Sequence, residues 1–335
     1  MLQAARRQVD DAVAGGRLGA GDLVVLTSGS TARPRGVVRA IASWEASVVP
    51  FAELTGLTPD DRVWVPGPLS SSLSLHAAWH TVQAGASPVL GAAPDPEATV
   101  LHGVPAALET ALDAADDGRL PALRLAVVAG DVLPGRVRER AARRGWAVLE
   151  YYGAAELSFV AWRADDGPFR PFPGADVDVR DGVVWVRSPY LARGYLEEDD
   201  TGPLRRDGAW ASVGDRAEAV PGGLRLLGRG GTAVTTGGHT VMVEEVEQVL
   251  RASGLVGDVA VAGAPHAVLG AVVVAVVVGS LATRRDLTAA VRDLPAPARP
   301  RRWLVAETLP RTAGGKLDRS ALADLVRAGT LPGLP

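Results

Sequence analysis

Between residues 62 and 150 the chain alternates short apolar runs with helical segments, and no other feature restricts its fold as much. Runs at 62–65, 87–90, 123–128 and 146–149 have the length of buried strands. Segments at 73–84, 106–115 and 136–143 carry apolar residues at helical spacing. Neighbouring parallel strands need a crossover, usually a helix, so this alternation predicts βαβ units and a largely parallel sheet, an α/β fold. Upstream, the first 20 residues read as an amphipathic helix ending at Gly15-Gly16, 22–26 as a buried strand, and about 39–54 as a helix. After Tyr152 the texture shifts to short strands and turns, with Asp181-Gly182 marking a hairpin inside 177–186. Gly228-Arg229-Gly230-Gly231 is a flexible point where a boundary is expected, dividing the chain into 1–228 and 229–335. The second part, with a helix at 243–252, strands at 257–263 and 271–278 and a helix at 284–293, has the size of a small α+β domain.

Composition removes several classes of function. A net charge of −3 gives no basic stripe for nucleic acid. With no cysteine, neither a disulfide frame nor a thiolate metal site can form. The first 16 residues lack an apolar signal core, and the longest apolar run, 271–278, is far short of the roughly 20 residues that cross a bilayer. A cytoplasmic protein is expected, without membrane insertion. Of 35 Lys plus Arg residues only Lys316 is lysine.

The most chemically suggestive segment is Thr27-Ser28-Gly29-Ser30-Thr31-Ala32-Arg33-Pro34-Arg35-Gly36. Small residues let backbone N–H groups approach an oxyanion, hydroxyls add donors, and Arg33 and Arg35 add charge. No Lys-Ser/Thr pair follows the glycines, so this is not a GxxxxGK[ST] phosphate loop. The segment resembles the Thr-Ser-Gly-Ser-Thr-Gly-x-Pro-Lys-Gly loop of the acyl-adenylate-forming enzymes, the superfamily of acyl-CoA ligases, luciferases and peptide-synthetase adenylation domains. Further resemblances follow in order: Tyr152-Gly153-Ala154-Ala155-Glu156, Val213-Gly214-Asp215, Leu227-Gly228-Arg229 through Gly237-Gly238-His239 into Glu244-Glu245-Val246-Glu247, and Leu309-Pro310 through Gly315-Lys316-Leu317-Asp318-Arg319. They span nearly the whole chain.

The resemblance implies two half-reactions. A carboxylate attacks the α-phosphorus of ATP to give acyl-AMP and pyrophosphate, and a thiol, usually that of coenzyme A, then takes the acyl group. It implies that Thr27, Ser28, Gly29, Ser30 and Thr31 surround the β- and γ-phosphates, with Arg35 in place of the family's lysine. Glu156 would hold Mg²⁺, Tyr152 would stack on adenine, and Asp215 with Arg229 would hold the ribose. The resemblance also implies that Gly130, Asp131 and Gly153 line the same nucleotide site and that Lys316 bridges the acid and phosphate oxygens. A lone lysine in so arginine-rich a chain suggests a place where a planar guanidinium does not fit.

Three departures from the family pattern leave a non-catalytic nucleotide- or acyl-CoA-binding relative as an alternative: Ala32 with Arg35 in the loop, Ala155 before the glutamate, and Gly231 at the hinge. A carrier protein is the other acceptor to weigh against coenzyme A, and the Arg-rich run at 299–302 suits either. The phosphate loop begins at residue 27, earlier than in most relatives. That compact form is similar to o-succinylbenzoate–CoA ligases, and some segments resemble fatty-acid–CoA ligases. Segments 69–80, 129–131 and 152–160 are expected to select the acid, with Arg124 or Arg163 as the cation for any second carboxylate. His76 and His80, four apart on one helix, are expected to pack or to line the acyl pocket rather than bind zinc. His239 is expected to be exposed in a mobile loop.

Overall fold

The computed structural model describes residues 13, 15, 18–26, 35–197, 202–229, 233–236, 239–312 and 315–335. It falls into two units: the first reaches Leu226 and also takes in Lys316, and the second holds Leu227–Thr312 and Leu317–Pro335. Most of the first 20 residues, where a helix is expected, and all of the loop at 27–34 lie outside the described residues.

The first unit begins with β1 (Asp22–Leu26) and β2 (Gly36–Ala40), an antiparallel pair separate from the parallel sheet, with only Val25 of β1 fully buried. Helix α1 (Ile41–Thr55) follows. Residues 39 and 40 are therefore strand, not helix: Arg39 pairs with Leu23 across the ladder. Next come β3 (Arg62–Val65), α2 (Ser72–Gln83), β4 (Ser87–Leu90), β5 (Val100–Gly103), α3 (Pro105–Asp116), β6 (Leu125–Ala129), α4 (Gly135–Arg143), β7 (Ala147–Ala154), β8 (Ser158–Arg163) and β9 (Arg170–Pro171). They form one sheet in the order β4-β3-β5-β6-β7-β8-β9, parallel through β7 and antiparallel beyond it. Strand β5 was not expected from sequence. Its four residues are all buried, so period-2 alternation gives no sign of it.

Strand alternation sends side chains to two faces. Leu101, Ala126, Val128 and Val148 pack with α3 and α4 residues Leu108, Leu112 and Val137. Val63, Val127, Leu149 and Tyr151 pack on the other face with Phe51 of α1 and Ala77 of α2. Beyond β9 lie β10 (Asp176–Arg180), β11 (Val183–Arg187), β12 (Gly194–Tyr195), β13 (Arg205–Asp207), β14 (Trp210–Ser212), β15 (Asp215–Val220) and β16 (Gly223–Arg229). Strands β10 and β11 form the expected hairpin, with Asp181 and Gly182 both at positive φ (51° and 75°), as its tight turn requires. Strand β12 instead joins β2, pairing Tyr195 with Val37.

The second unit holds β17 (Ala233–Thr236), β18 (His239–Met242), α5 (Val243–Ala252), β19 (Asp258–His266), β20 (Gly270–Val278), α6 (Arg284–Ala290), β21 (Arg302–Val305) and α7 (Arg319–Ala328). Helix α6 ends three residues earlier than its periodicity predicts, and β21 and α7 were not expected. The long β19–β20 hairpin is its spine, and β21 adds to β20 in parallel. Glu247 of α5, 1% exposed, accepts two hydrogen bonds from Arg319 (2.9 and 3.0 Å) and one from the Val261 N–H (2.8 Å), tying both helices to β19.

The turn from β7 to β8 tolerates no side chain at Gly153, where a Cβ would lie 1.9 Å from the Ser158 carbonyl oxygen. Because the obstacle is backbone, Gly153→Ala should cost about 3 kcal/mol, the upper end of overpacking penalties. Thermal unfolding of the variant should show the melting temperature lowered by roughly 6–12 °C. An unchanged melting temperature would mean that the turn is looser than this contact requires.

Candidate functional site

In an open parallel sheet, ligands bind outside the carboxyl ends of the strands, where loops leave backbone groups exposed. Several of the residues singled out from the sequence come together at this edge. Gly130 directly follows β6 with φ at +91°, a conformation glycine adopts without strain. A Cβ there would lie 2.9 Å from Lys316 Cε, 3.5 Å from Lys316 Nζ and 3.4 Å from Leu73 Cδ1. The bare glycine thus leaves the volume that the lysine stem fills, beside the first turn of α2. Asp131, half-buried, accepts a hydrogen bond from the Val132 N–H (2.8 Å).

Tyr152 of β7 and Asp215 of β15 are 63 residues apart and come together although their strands lie in different sheets. The Tyr152 hydroxyl donates to Asp215 Oδ2 at 2.7 Å, with Asp215 8% exposed and Tyr152 half-buried. Glu156 sits in the turn after β7, 5% exposed, and its Oε1 accepts the Tyr195 hydroxyl at 3.0 Å. That hydroxyl in turn accepts from the Leu204 N–H at 3.1 Å. Arg35, half-buried, directly precedes β2. Thr27, Ser28, Gly29, Ser30 and Thr31 lie outside the described residues, and so does the side chain of Arg229 at the end of β16.

Mg²⁺ in phosphate-transfer sites is held by one or two carboxylates together with substrate phosphates, rather than by an all-protein cage. A single buried carboxylate held by one tyrosine hydroxyl fits that mode. Among the described residues no group of three His, Cys, Asp or Glu side chains could hold a metal unaided.

Sequence reasoning missed Arg39, because its position looked helical and arginine is common everywhere in the chain. It is 1% exposed. Nε donates to Ser43 Oγ at 3.2 Å, one Nη donates to the Ala155 carbonyl at 3.1 Å, and the other to the Tyr190 carbonyl. Burial pulls the guanidinium down to about 10, an effect opposed by the nearby charge of Glu156. Arg39 therefore anchors the turn that carries Glu156 to β2. Its signal in the sequence was an arginine inside an otherwise apolar β2.

Three histidines are buried on the α1–α2 face of the sheet. His76 faces Ser47 Oγ at 3.4 Å, His80 faces the Val48 carbonyl at 3.1 Å, and His102 faces the Tyr151 hydroxyl at 3.1 Å. His76 packs edge-on against Trp44 (4.9 Å between ring centroids) and Phe159 (4.9 Å). Burial holds His76 well below its usual range and His102 at about 3, and it lowers His80 too, so all three are neutral at pH 7. His76 and His80 pack into the core, one of the two roles expected of them, and His102 packs beside them. His239 is exposed, but on β18 rather than in a loop.

The cations expected for a second carboxylate are engaged elsewhere. Arg124 lies at the amino end of β6 and pairs with Asp61 at 2.7 Å. Arg163 pairs with Glu150 at 2.7 Å, and Arg138 of α4 joins the same carboxylate, on the sheet face opposite Tyr151.

Residues 18–196 match the model of the AMP-binding enzyme family, and 245–316 match that of the AMP-binding enzyme C-terminal domain. The chain is 28% identical to an uncharacterized acyl–CoA ligase, YhfT, of Bacillus subtilis, an alignment covering 88% of this chain and 66% of the relative. It is 30% identical to a 2-succinylbenzoate–CoA ligase of Salmonella typhimurium, covering 90% and 68%. ATP-bound MatB from Rhodopseudomonas palustris superposes with a TM-score of 0.79 at 27% identity, covering 92% and 69%. The chain spans about two thirds of the length of each of these proteins.

The anchoring by Arg39 can be measured without substrate. Arg39→Met leaves two carbonyl groups unpaired and should cost about 2–4 kcal/mol in urea unfolding. Arg39→Lys keeps the charge but not the planar fork and should lose roughly half as much. Wild-type stability in both variants would show that the guanidinium holds nothing in place.

Proposed function

The chain belongs to the AMP-binding enzyme family, and on that premise we propose that it activates a carboxylic acid as acyl-AMP and transfers the acyl group to coenzyme A. The observation that carries this reading is the placement of Lys316, the chain's only lysine, against Gly130 at the carboxyl end of β6. In the first half-reaction a carboxylate oxygen bonds to the α-phosphorus of ATP and the bond to pyrophosphate breaks. Two anions must meet, so the step needs fixed positive charge where the pentacoordinate phosphorus forms. The Lys316 ammonium, a compact charge on a flexible stem, can lie between a carboxylate and a phosphate oxygen.

The remaining roles follow from chemistry and place. Thr27, Ser28, Gly29, Ser30 and Thr31 would offer hydroxyls and backbone N–H groups to the β- and γ-phosphates, with Arg35 supplying charge at the exit of the loop. Glu156 would hold Mg²⁺, which supplies Lewis-acid charge on phosphate oxygens. Asp215, oriented by the Tyr152 hydroxyl, would accept the ribose hydroxyls, with Arg229 beside it, while the Tyr152 ring offers a face to adenine. Gly153, Gly130 and Asp131 would complete the nucleotide wall. In the second half-reaction a thiol sulfur bonds to the acyl carbon and AMP departs. We assign 1–228 to nucleotide and acid binding and 229–335 to the small domain whose sequence includes Lys316. No described helix is long and apolar enough to cross a membrane. The use of ATP and coenzyme A as co-substrates favours a cytoplasmic activity.

Lys316→Ala separates this reading from that of a non-catalytic nucleotide binder. Acid-dependent ATP–pyrophosphate exchange should fall by about 10²–10³-fold, the usual cost of one transition-state charge contact. Thioester formation from preformed acyl-AMP should fall by less than about tenfold. Equal losses in the two assays would contradict the role given to Lys316, and a wild-type chain that binds ATP yet shows neither reaction would favour the non-catalytic reading.

A further inference from the structure

We propose that the acid is a monocarboxylate with a short, uncharged tail; the proposal rests on the adenylation reading above, which fixes the reacting carboxylate at Lys316. Three observations carry it.

The first is place. Leu73 Cδ1 and the Lys316 stem close on the same point above Gly130, so an acid whose carboxylate meets Nζ runs its tail along the start of α2. Leu73, Tyr152 and Ala154 are half-buried there and pack onto the aromatic core beneath.

The second is charge. Segments 69–80, 129–131 and 152–160 are fully described; they contain no lysine or arginine, and their acidic side chains are Asp131 and Glu156. Their two histidines, His76 and His80, are held neutral by burial. The buried guanidinium of Arg39 has its donors committed to Ser43 and to the carbonyls of Ala155 and Tyr190, and its charge is faced by Glu156. Arg124 and Arg163 are paired with Asp61 and Glu150. Among the described residues of these segments a second carboxylate on the tail would meet no cation and two acidic side chains, and its desolvation would go uncompensated.

The third is depth. Behind Leu73 and Ala77 the core is closed by rings in mutual contact: Phe51 to Phe159 at 4.9 Å, Phe159 to Phe172 at 4.7 Å and His76 to Phe159 at 4.9 Å between centroids. These side chains are at most 4% exposed. Native cores pack at crystal-like density, so these rings form a closed floor beneath Leu73 and favour a short tail over a long one.

The test is acid-dependent ATP–pyrophosphate exchange by the full chain, without coenzyme A, on matched acids. 4-Oxo-4-phenylbutanoate is compared with 2-succinylbenzoate, butanoate with succinate, and hexanoate with dodecanoate. Within at least one of the first two pairs, the monocarboxylate should be used at least about 100-fold more efficiently, because an unpaired charge taken out of water carries a large penalty. Hexanoate should exceed dodecanoate. A dicarboxylate equal to or better than its partner overturns the uncharged tail, and dodecanoate equal to or better than hexanoate overturns the short one, in both cases with adenylation itself intact. No exchange with any of the six, while calorimetry still shows Mg·ATP binding, overturns the adenylation reading and this proposal with it.

Discussion

A guanidinium buried to 1% exposure is tolerable only when its donors are satisfied, and Arg39 meets that condition by drawing on three separate parts of the first unit. Its partners are the Ser43 hydroxyl in α1, the Ala155 carbonyl in the β7–β8 turn, and the Tyr190 carbonyl in the segment before β12. Tyr195 of β12 then reaches Glu156, so the turn holding that carboxylate is gripped through its backbone and its side chain by groups on neighbouring strands. The family's usual hydroxyl at position 155 is absent here, but the backbone of Ala155 is fixed by the arginine. Loss of one neutral hydrogen bond is worth only about 0.5–1.5 kcal/mol, a small change beside the constraint that Arg39 imposes on where Glu156 can be.

The two faces of the parallel sheet are electrostatically unlike. On the α4 face, Glu150 is almost buried and is met by Arg138 and Arg163. On the α1–α2 face, Phe51, Tyr151, Phe159 and three neutral histidines fill the space. Burial in the company of aromatic rings explains that neutrality, since a protonated imidazole there would give up water for no counter-charge. Strand alternation enforces the contrast: Glu150 and Tyr151 are adjacent in sequence and point to opposite sides.

Glycines set the shape of the carboxyl edge of the parallel sheet in two ways. Gly130 holds a positive φ and leaves room for the stem of Lys316, whereas Gly153 allows the β7 and β8 backbones to close to a distance that excludes any Cβ. Both lie at the carboxyl ends of strands, where the sheet stops supplying hydrogen-bond partners and backbone groups become available to a ligand.

The sequence by itself determined the strand–helix alternation, the hairpin at Asp181-Gly182, the helix at 243–252 and the order of the motifs, because these are carried by local periodicity and by residue types with few alternatives. Lys316 stood out for the same reason, as a single lysine among arginines. Strand β5 stayed hidden because a fully buried strand has no alternation, and β21 and α7 because each is stabilised by contacts with β19 or β20 that are distant in sequence. Only the tertiary structure decided that Arg39 serves the Glu156 turn, that Tyr152 meets Asp215, and that Arg124 and Arg163 are already paired. A charge's role depends on which opposite charge reaches it and how much water remains around it, and neither is fixed until strands far apart in the chain have come together.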